Sequence, residues 1–586
     1  RSVLQMQPNA VPALNYLSLL LNMRGELTEA ETLIRKAIAL LPREATLHNN
    51  LGNILHKKKD IEGAAAAYRE ALERNASYPE AYYNLGLMQS ELGRGDEALA
   101  AQRRAVAIKP DYAEALTQIG SLLSDRQEFN EALTALDKAV AANPQHFGGH
   151  YYRGTVLINL QRHAEATQSL RKAVALRPQS FEAHYALGNA LNYTNQEAAA
   201  LDAYRIAIDL NPEYLNAHYD FSSLAWTMGR QDLALTSYVH ARQKVGEKPD
   251  LLLAEGEMRL RLDRPEEGRV LLEKAHSLSP ERADIANALA RSLVTLGRFD
   301  EAVPTFERAA EIEPANIGHR TEQAIALLHA RRPAEAQRII EIARQINPTN
   351  QLGLGLATLA QRETGDRQFA ELFDPTRFVK VYDLPPPRGY ADIASFNADL
   401  AGELASLHTR RMAPFDQTLR GGTQTMGQLF AKDLPHLAQF KERLFEIIED
   451  YIRNLPPDPA HPFLSRKEDA FSVAGSWSCR LRSQGFHTNH IHPDGWISSA
   501  YYVSLPKSMR QAERDQAGWI KFGESNLNLG GLDRPHHFEQ PAVGRLVLFP
   551  SYFWHGTVPF IDDDVRLTIA FDVVPGSGTN RAYRNY

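Results

Sequence analysis

A chain of 586 residues exceeds what one compact core organises, so several domains or an elongated array are expected. Its formal charge of −6, from 65 basic and 71 acidic residues, gives no global attraction to nucleic acid or anionic membrane. No apolar run approaches the roughly 20 residues of a membrane span, and the lone Cys479 excludes an intramolecular disulfide or a thiolate zinc cluster. A reducing, cytoplasmic setting is the expectation, and the opening at Arg1 is compatible with a removed leader.

From the N-terminus the chain is periodic. Ala37, Ala71, Ala105, Ala139, Ala173, Ala207, Ala241, Ala275, Ala309 and Ala343 recur every 34 residues. Seven residues before each stands another small residue, from Ala30 and Ala64 to Gly268, Ala302 and Ala336. A third column holds Gly52, Gly86, Gly120, Gly154 and Gly188, and resumes at Gly256. Small residues let antiparallel helices approach closely, and prolines such as Pro110, Pro144 and Pro178 stop each second helix. These positions resemble the tetratricopeptide repeat (TPR). Ten repeats are assigned to 11–350, stacked into a solenoid because one repeat cannot bury its apolar face alone. Residues 351–371 are assigned to a capping helix, near 351–366, and a connector.

Such an array can serve as a spacer or scaffold, or it can bind a polypeptide along its concave face. The first helix of each pair offers Tyr151, Tyr185 and Tyr219 at one repeated position, with Asn189 and Asn192 nearby. Aromatic and amide groups suit an extended peptide, although a tyrosine column also packs helices together.

Beyond residue 366 the register ends, and Pro385-Pro386-Pro387 marks a stiff connector. Helices are predicted near Asp392–His408 and Leu434–Asn454. Strands follow at Trp477–Arg482, His487–His492, Trp496–Leu505, Trp519–Phe522, Arg545–Phe549 and Arg566–Val574. That density implies an antiparallel sandwich or barrel with helical support.

Within this region His490, His492 and Asp494 alternate, as residues on one face of a strand do, and His555 lies downstream. In the last strand Arg566, Thr568 and Ala570 share a face opposite Leu567, Ile569 and Phe571. An arginine there needs a partner, which a bound dicarboxylate would supply. Tyr502 shares a face with Ser498, Ala500 and Ser504 and offers a hydroxyl.

The order His492-x-Asp494, His555, Arg566 resembles the pattern of Fe(II)/2-oxoglutarate dioxygenases on a double-stranded β-helix. The stretch from His490 to Val503, with Arg420–Thr425, is similar to a bacterial and phage group of these oxygenases, over roughly 372–586. Ser499 stands where that group has glycine. The resemblance implies iron(II) held by His492, Asp494 and His555, with 2-oxoglutarate clamped by Arg566, Thr568 and Tyr502, and O2 as oxidant. His490, Ser498 and Asn489 would surround the metal or touch substrate. His490→Ala would then lower turnover but keep iron, and Asp494→Ala would lose it. Arg420–Thr425 would form a helix N-cap turn or a lid.

The implied protein is multidomain, an all-α TPR solenoid followed by a jelly-roll oxygenase domain that hydroxylates a protein or peptide brought by the repeats. Three other readings remain open. One is a small-molecule (natural-product) oxygenase whose repeats dock a partner protein. Another is an inactive TPR adaptor. The third is a three-histidine centre of His490, His492 and His555 that does not use 2-oxoglutarate.

Overall fold

The computed structural model describes residues 1–408, 418–425, 428–511, 516–531 and 533–576. The chain divides into two compact units, Arg1–Ala217 and His218–Tyr586.

The first unit is built of helix pairs such as Ala45–Lys57 with Ile61–Arg74, and Ala113–Asp125 with Phe129–Ala142. Both alanine columns are fully buried where each second helix meets its neighbours. The glycine column has a different cause. A Cβ added to Gly52 would lie 2.5 Å from Tyr68, at Gly120 2.4 Å from Leu136, and at Gly188 2.5 Å from Tyr204. In each case the large residue sits 16 positions later, on the second helix, directly over the glycine. Gly120→Ala should therefore destabilise the chain. Overpacking costs about 1–3 kcal/mol, against about 1 kcal/mol recovered from alanine's helix propensity. Chemical denaturation reads the balance, and a net gain would mean that the helix pair separates without strain.

A further column is visible only in the backbone. Gly25, Lys59, Gly93, Gln127, Gln161, Asn195, Gly229, Asp263, Gly297 and Arg331 all adopt positive φ, at the same 34-residue spacing. This left-handed residue ends each first helix and reverses the chain.

The second unit begins where the glycine column lapses. Ser222 takes the position, its Oγ donating 2.5 Å to Ala234 O, and the second helix of that pair is shortened to Thr236–Val245. Pairs then continue through Ile317–His329 and Pro333–Ile346. The helix Gln351–Thr364 ends at Gly365, again left-handed and again 34 residues on, so it is the first helix of a repeat whose second helix is missing. It is not a solvent-facing cap. Residues from Gly353 through Arg362 are buried, and one apolar core runs from Leu272 in the repeats to Val573 in the last strand.

Nine strands follow among the described residues: β1 Lys380–Asp383, β2 Leu419–Gln424, β3 Phe471–His487, β4 Ile497–Ser504, β5 Ile520–Phe522, β6 His537–Glu539, β7 Arg545–Pro550, β8 His555–Thr557 and β9 Arg566–Pro575. They form an antiparallel six-stranded sheet, β1-β7-β4-β9-β3-β2, and a three-stranded sheet, β6-β5-β8. Helices Ile393–Ala405 and Pro435–Asn454 pack on the larger sheet through Tyr501. Its hydroxyl donates to Asn397 Oδ1 (2.8 Å), and its ring lies 4.5 Å from that of Phe440.

Two expectations are corrected here. Arg420–Thr425 is neither a cap turn nor a lid, because Leu419–Gln424 pairs along β3 with a bulge at Gly421. His487–His492 is not a continuous strand. β3 ends at His487, and beyond it only an isolated bridge joins His490 to His555.

Candidate metal and cosubstrate site

The end of β3 releases the chain into an extended segment held by backbone bonds. His490 N donates to His555 O (2.8 Å), His555 N to His490 O (2.9 Å), and His492 N to Ser551 O (3.0 Å). These bonds bring His490, His492 and His555 together, with ligand atoms all within 4.8 Å of one another.

Each imidazole is oriented from behind. His490 Nδ1 bonds Thr488 O (2.8 Å) and His555 Nδ1 bonds Phe553 O (2.9 Å). A carbonyl only accepts, so in both rings Nδ1 carries the proton and Nε2 keeps its lone pair. His492 Nδ1 meets Asp572 Oδ2 at 2.7 Å, and Asp572 Oδ1 accepts from Ser498 Oγ at 2.7 Å. Trp477 stacks on the His492 ring at 5.6 Å. Burial, followed by the neighbouring imidazoles, holds His490 and His555 far below the ordinary histidine pKa, so both are neutral bases.

His490 Nε2 and His492 Nε2 are 3.1 Å apart. Two metal–nitrogen bonds of about 2.1 Å meeting near a right angle give about that separation, so the donor set fits a first-row metal ion.

The expected carboxylate ligand lies elsewhere. Asp494 is exposed, on the turn that follows His492, and is not among the converging groups. Pro493 and Gly495 do turn the chain, but the turn carries the carboxylate to the surface. Gly495 is required there, since a Cβ would stand 2.3 Å from Ser551 Oγ.

Asp572 is the residue that sequence reasoning missed. The signal was present, because it continues the Arg566, Thr568, Ala570 face by one more step. Its pairing with Ser498 on β4 and with His492 makes it a positioning residue. Asp572→Asn should lower metal affinity about 10- to 100-fold, since it removes the charge that orients and polarises His492. Metal titration checks this, and unchanged affinity would show that His492 is oriented without it.

Arg566 opens β9 fully buried, its guanidinium 5.1 Å above the Tyr502 ring. Nη1 donates to Gly518 O (3.2 Å), but Nε and the Tyr502 hydroxyl have no partner among the described residues. Burial lowers the Arg566 pKa and raises that of Tyr502. A buried cation beside an orphaned hydroxyl lacks one thing, an anion with oxygens to accept from both. Thr568 lies buried alongside, opposite Tyr502 on β4 and Cys479 on β3, whose thiol burial pushes up to about 12.

Asn489 binds the neighbouring loop, Nδ2 donating to Glu524 Oε2 and Ser525 O (both 2.9 Å). The helix Gln351–Thr364 forms the adjoining wall. Trp554, next to His555, donates Nε1 to Gly355 O (2.9 Å), while Arg362 donates to Gly523 O (2.7 Å) and pairs with buried Asp533 (3.1 Å).

In the repeats, Tyr151 stacks on Phe147 (5.8 Å) and faces an open cleft, whereas Tyr185 packs against Tyr204 and Tyr214. Asn189 already accepts from Tyr204 OH (2.7 Å), and Tyr219 lies under Arg261 (5.8 Å). Asn192 is half-buried.

Together these features define a repeat protein with an antiparallel β domain at its C-terminal end, in which three imidazoles converge. Residues 475–572 match the family described as "Putative 2OG-Fe(II) oxygenase". Tetratricopeptide models match 13–43, 52–93, 79–112, 117–214, 252–317 and 287–350. The chain thus carries tetratricopeptide repeats followed by a C-terminal β domain that matches that oxygenase family over residues 475–572. No curated protein matches the chain. Similar solved structures include the TPR protein YrrB (25% identity, 32% of this chain and 96% of that one, TM-score 0.29), a tetratricopeptide protein from Parabacteroides merdae (19%, 43% and 99%, 0.33) and yeast Tom70 (14%, 62% and 90%, 0.32).

Proposed function

We propose that the chain is an iron(II)- and 2-oxoglutarate-dependent hydroxylase acting on a protein or peptide recruited by its repeats. Recruitment is assigned to 11–350 and catalysis to 372–586, with 351–371 joining them. The observation that carries the reading is the pairing of two sites. Three imidazoles have their Nδ1 atoms fixed and their ligand atoms convergent, and the same β domain holds a buried arginine with no carboxylate partner among the described residues.

His490, His492 and His555 would hold the iron through Nε2. Asp572 fixes the His492 ring. Arg566 and Tyr502 receive the distal carboxylate of 2-oxoglutarate, and the burial of both keeps water from competing. When bound, iron with 2-oxoglutarate and O2 inserts one oxygen atom into a C–H bond, and the cosubstrate leaves as succinate and CO2.

A second reading, a three-histidine centre that needs no 2-oxoglutarate, is favoured by His490 standing where a carboxylate was expected. Mass spectrometry of cellular proteins incubated with the full chain, iron(II) and 2-oxoglutarate tests both. Addition of one oxygen only when 2-oxoglutarate is present supports the hydroxylase. Addition of both oxygen atoms of O2 without it supports the second reading, and no oxidised protein sinks the polypeptide substrate.

A further inference from the structure

In the first unit, four successive first helices enclose a cleft of about 440 Å³. Its walls are aromatic. Tyr83 comes from Pro79–Glu91, and Phe147, Tyr151 and Tyr152 come from Phe147–Asn159. Phe147 and Tyr151 stack at 5.8 Å with planes 6° apart, and Tyr152 meets Tyr151 edge-on at 5.1 Å. The arrangement already holds one cation of the chain itself, because the Arg177 guanidinium lies 4.0 Å above the Phe147 ring.

Two carboxylates, Glu114 and Glu182, border the same cleft. Both are exposed, and neither is in an ion pair with a cation among the described residues. Glu182 accepts only a hydroxyl bond from Ser180 (2.8 Å). They are near enough to be felt. After burial itself, Glu114 helps raise the Tyr83 pKa, and Glu182 helps raise that of Tyr151, which reaches about 12.

Electron-rich ring faces beside unpaired carboxylates attract a cation and repel an anion. A neutral apolar side chain would use the rings but leave both carboxylates unanswered. The cleft lies open along a row of first helices, a geometry suited to an extended chain.

We propose that this cleft seats an arginine or lysine side chain of an extended polypeptide, so that the repeats select basic sequences. The inference rests on the reading that the repeats recruit a polypeptide, and it names the chemistry by which they do so.

The test is binding by the full chain, without iron or 2-oxoglutarate, of a labelled Gly-Ser peptide carrying arginines at alternate positions, followed by fluorescence anisotropy. Saturable binding is expected. Replacing both Glu114→Gln and Glu182→Gln should weaken it about tenfold, since each contributes a modest surface pair, and added salt should weaken it further. Tyr151→Phe should keep the affinity and Tyr151→Ala lose it. The proposal is overturned if the arginine peptide does not bind, if the double variant binds it unchanged, or if a Gly-Ser peptide with glutamates binds as tightly. Because the readout involves no turnover, its failure leaves the hydroxylase reading intact, and a failed oxygen-addition experiment leaves this binding intact.

Discussion

Iron(II) binding is expected to be lost in His490→Ala and retained in Asp494→Ala. His490 Nε2 lies 3.1 Å from His492 Nε2, and its Nδ1 is fixed by Thr488 O, so the ring is committed to the shared point. Alanine there removes one of three converging donors from a chelate whose geometry the fold has prepared. Asp494 is exposed on a turn, and its removal costs the cluster nothing. Metal titration with a spectroscopic readout decides the matter. Iron kept in His490→Ala and lost in Asp494→Ala would restore the pattern that the sequence first suggested. His492→Ala and His555→Ala should behave like His490→Ala.

The second large effect concerns Arg566. Arg566→Leu should reduce the apparent affinity for 2-oxoglutarate about 30- to 1,000-fold, equivalent to about 2–4 kcal/mol for a desolvated charge pair. The size of the effect follows from complete burial, with Nε and the Tyr502 hydroxyl both awaiting acceptors. Iron binding should persist, because the three imidazoles are oriented by Thr488, Asp572 and Phe553 rather than by Arg566. An unchanged requirement for 2-oxoglutarate would mean that another base holds the cosubstrate.

The repeats were legible because their cause is steric and local. A 34-residue spacing of alanines and glycines reports close helix packing directly, as the Gly120–Leu136 contact shows. The left-handed column was hidden, since lysine, glutamine, asparagine, aspartate and arginine share it with glycine. The two histidine-bearing segments of the candidate site were also legible, but not the choice between His490 and Asp494. Alternation assumes that a strand persists, whereas β3 ends at His487 and the following residues take their course from bonds to His555 and Ser551. Such long-range pairings leave little trace in local pattern. The same is true of β1, β2 and β8, short strands of three to six residues whose partners are distant in the chain.

The helix Gln351–Thr364 belongs by register to the repeats and by contact to the oxygenase. Gly355 admits Trp554 where a Cβ would stand 3.1 Å from its Nε1, and Arg362 is spent on Gly523 and Asp533. For inheritance this implies that the C-terminal β domain would need this helix to travel with it. A recombination that joined a foreign array at residue 365 would have to bring its own glycine and arginine in register. One that crossed over farther upstream would need only another 34-residue period. Array length is therefore expected to vary more freely on the N-terminal side than at the last repeats, which share a core with the β domain.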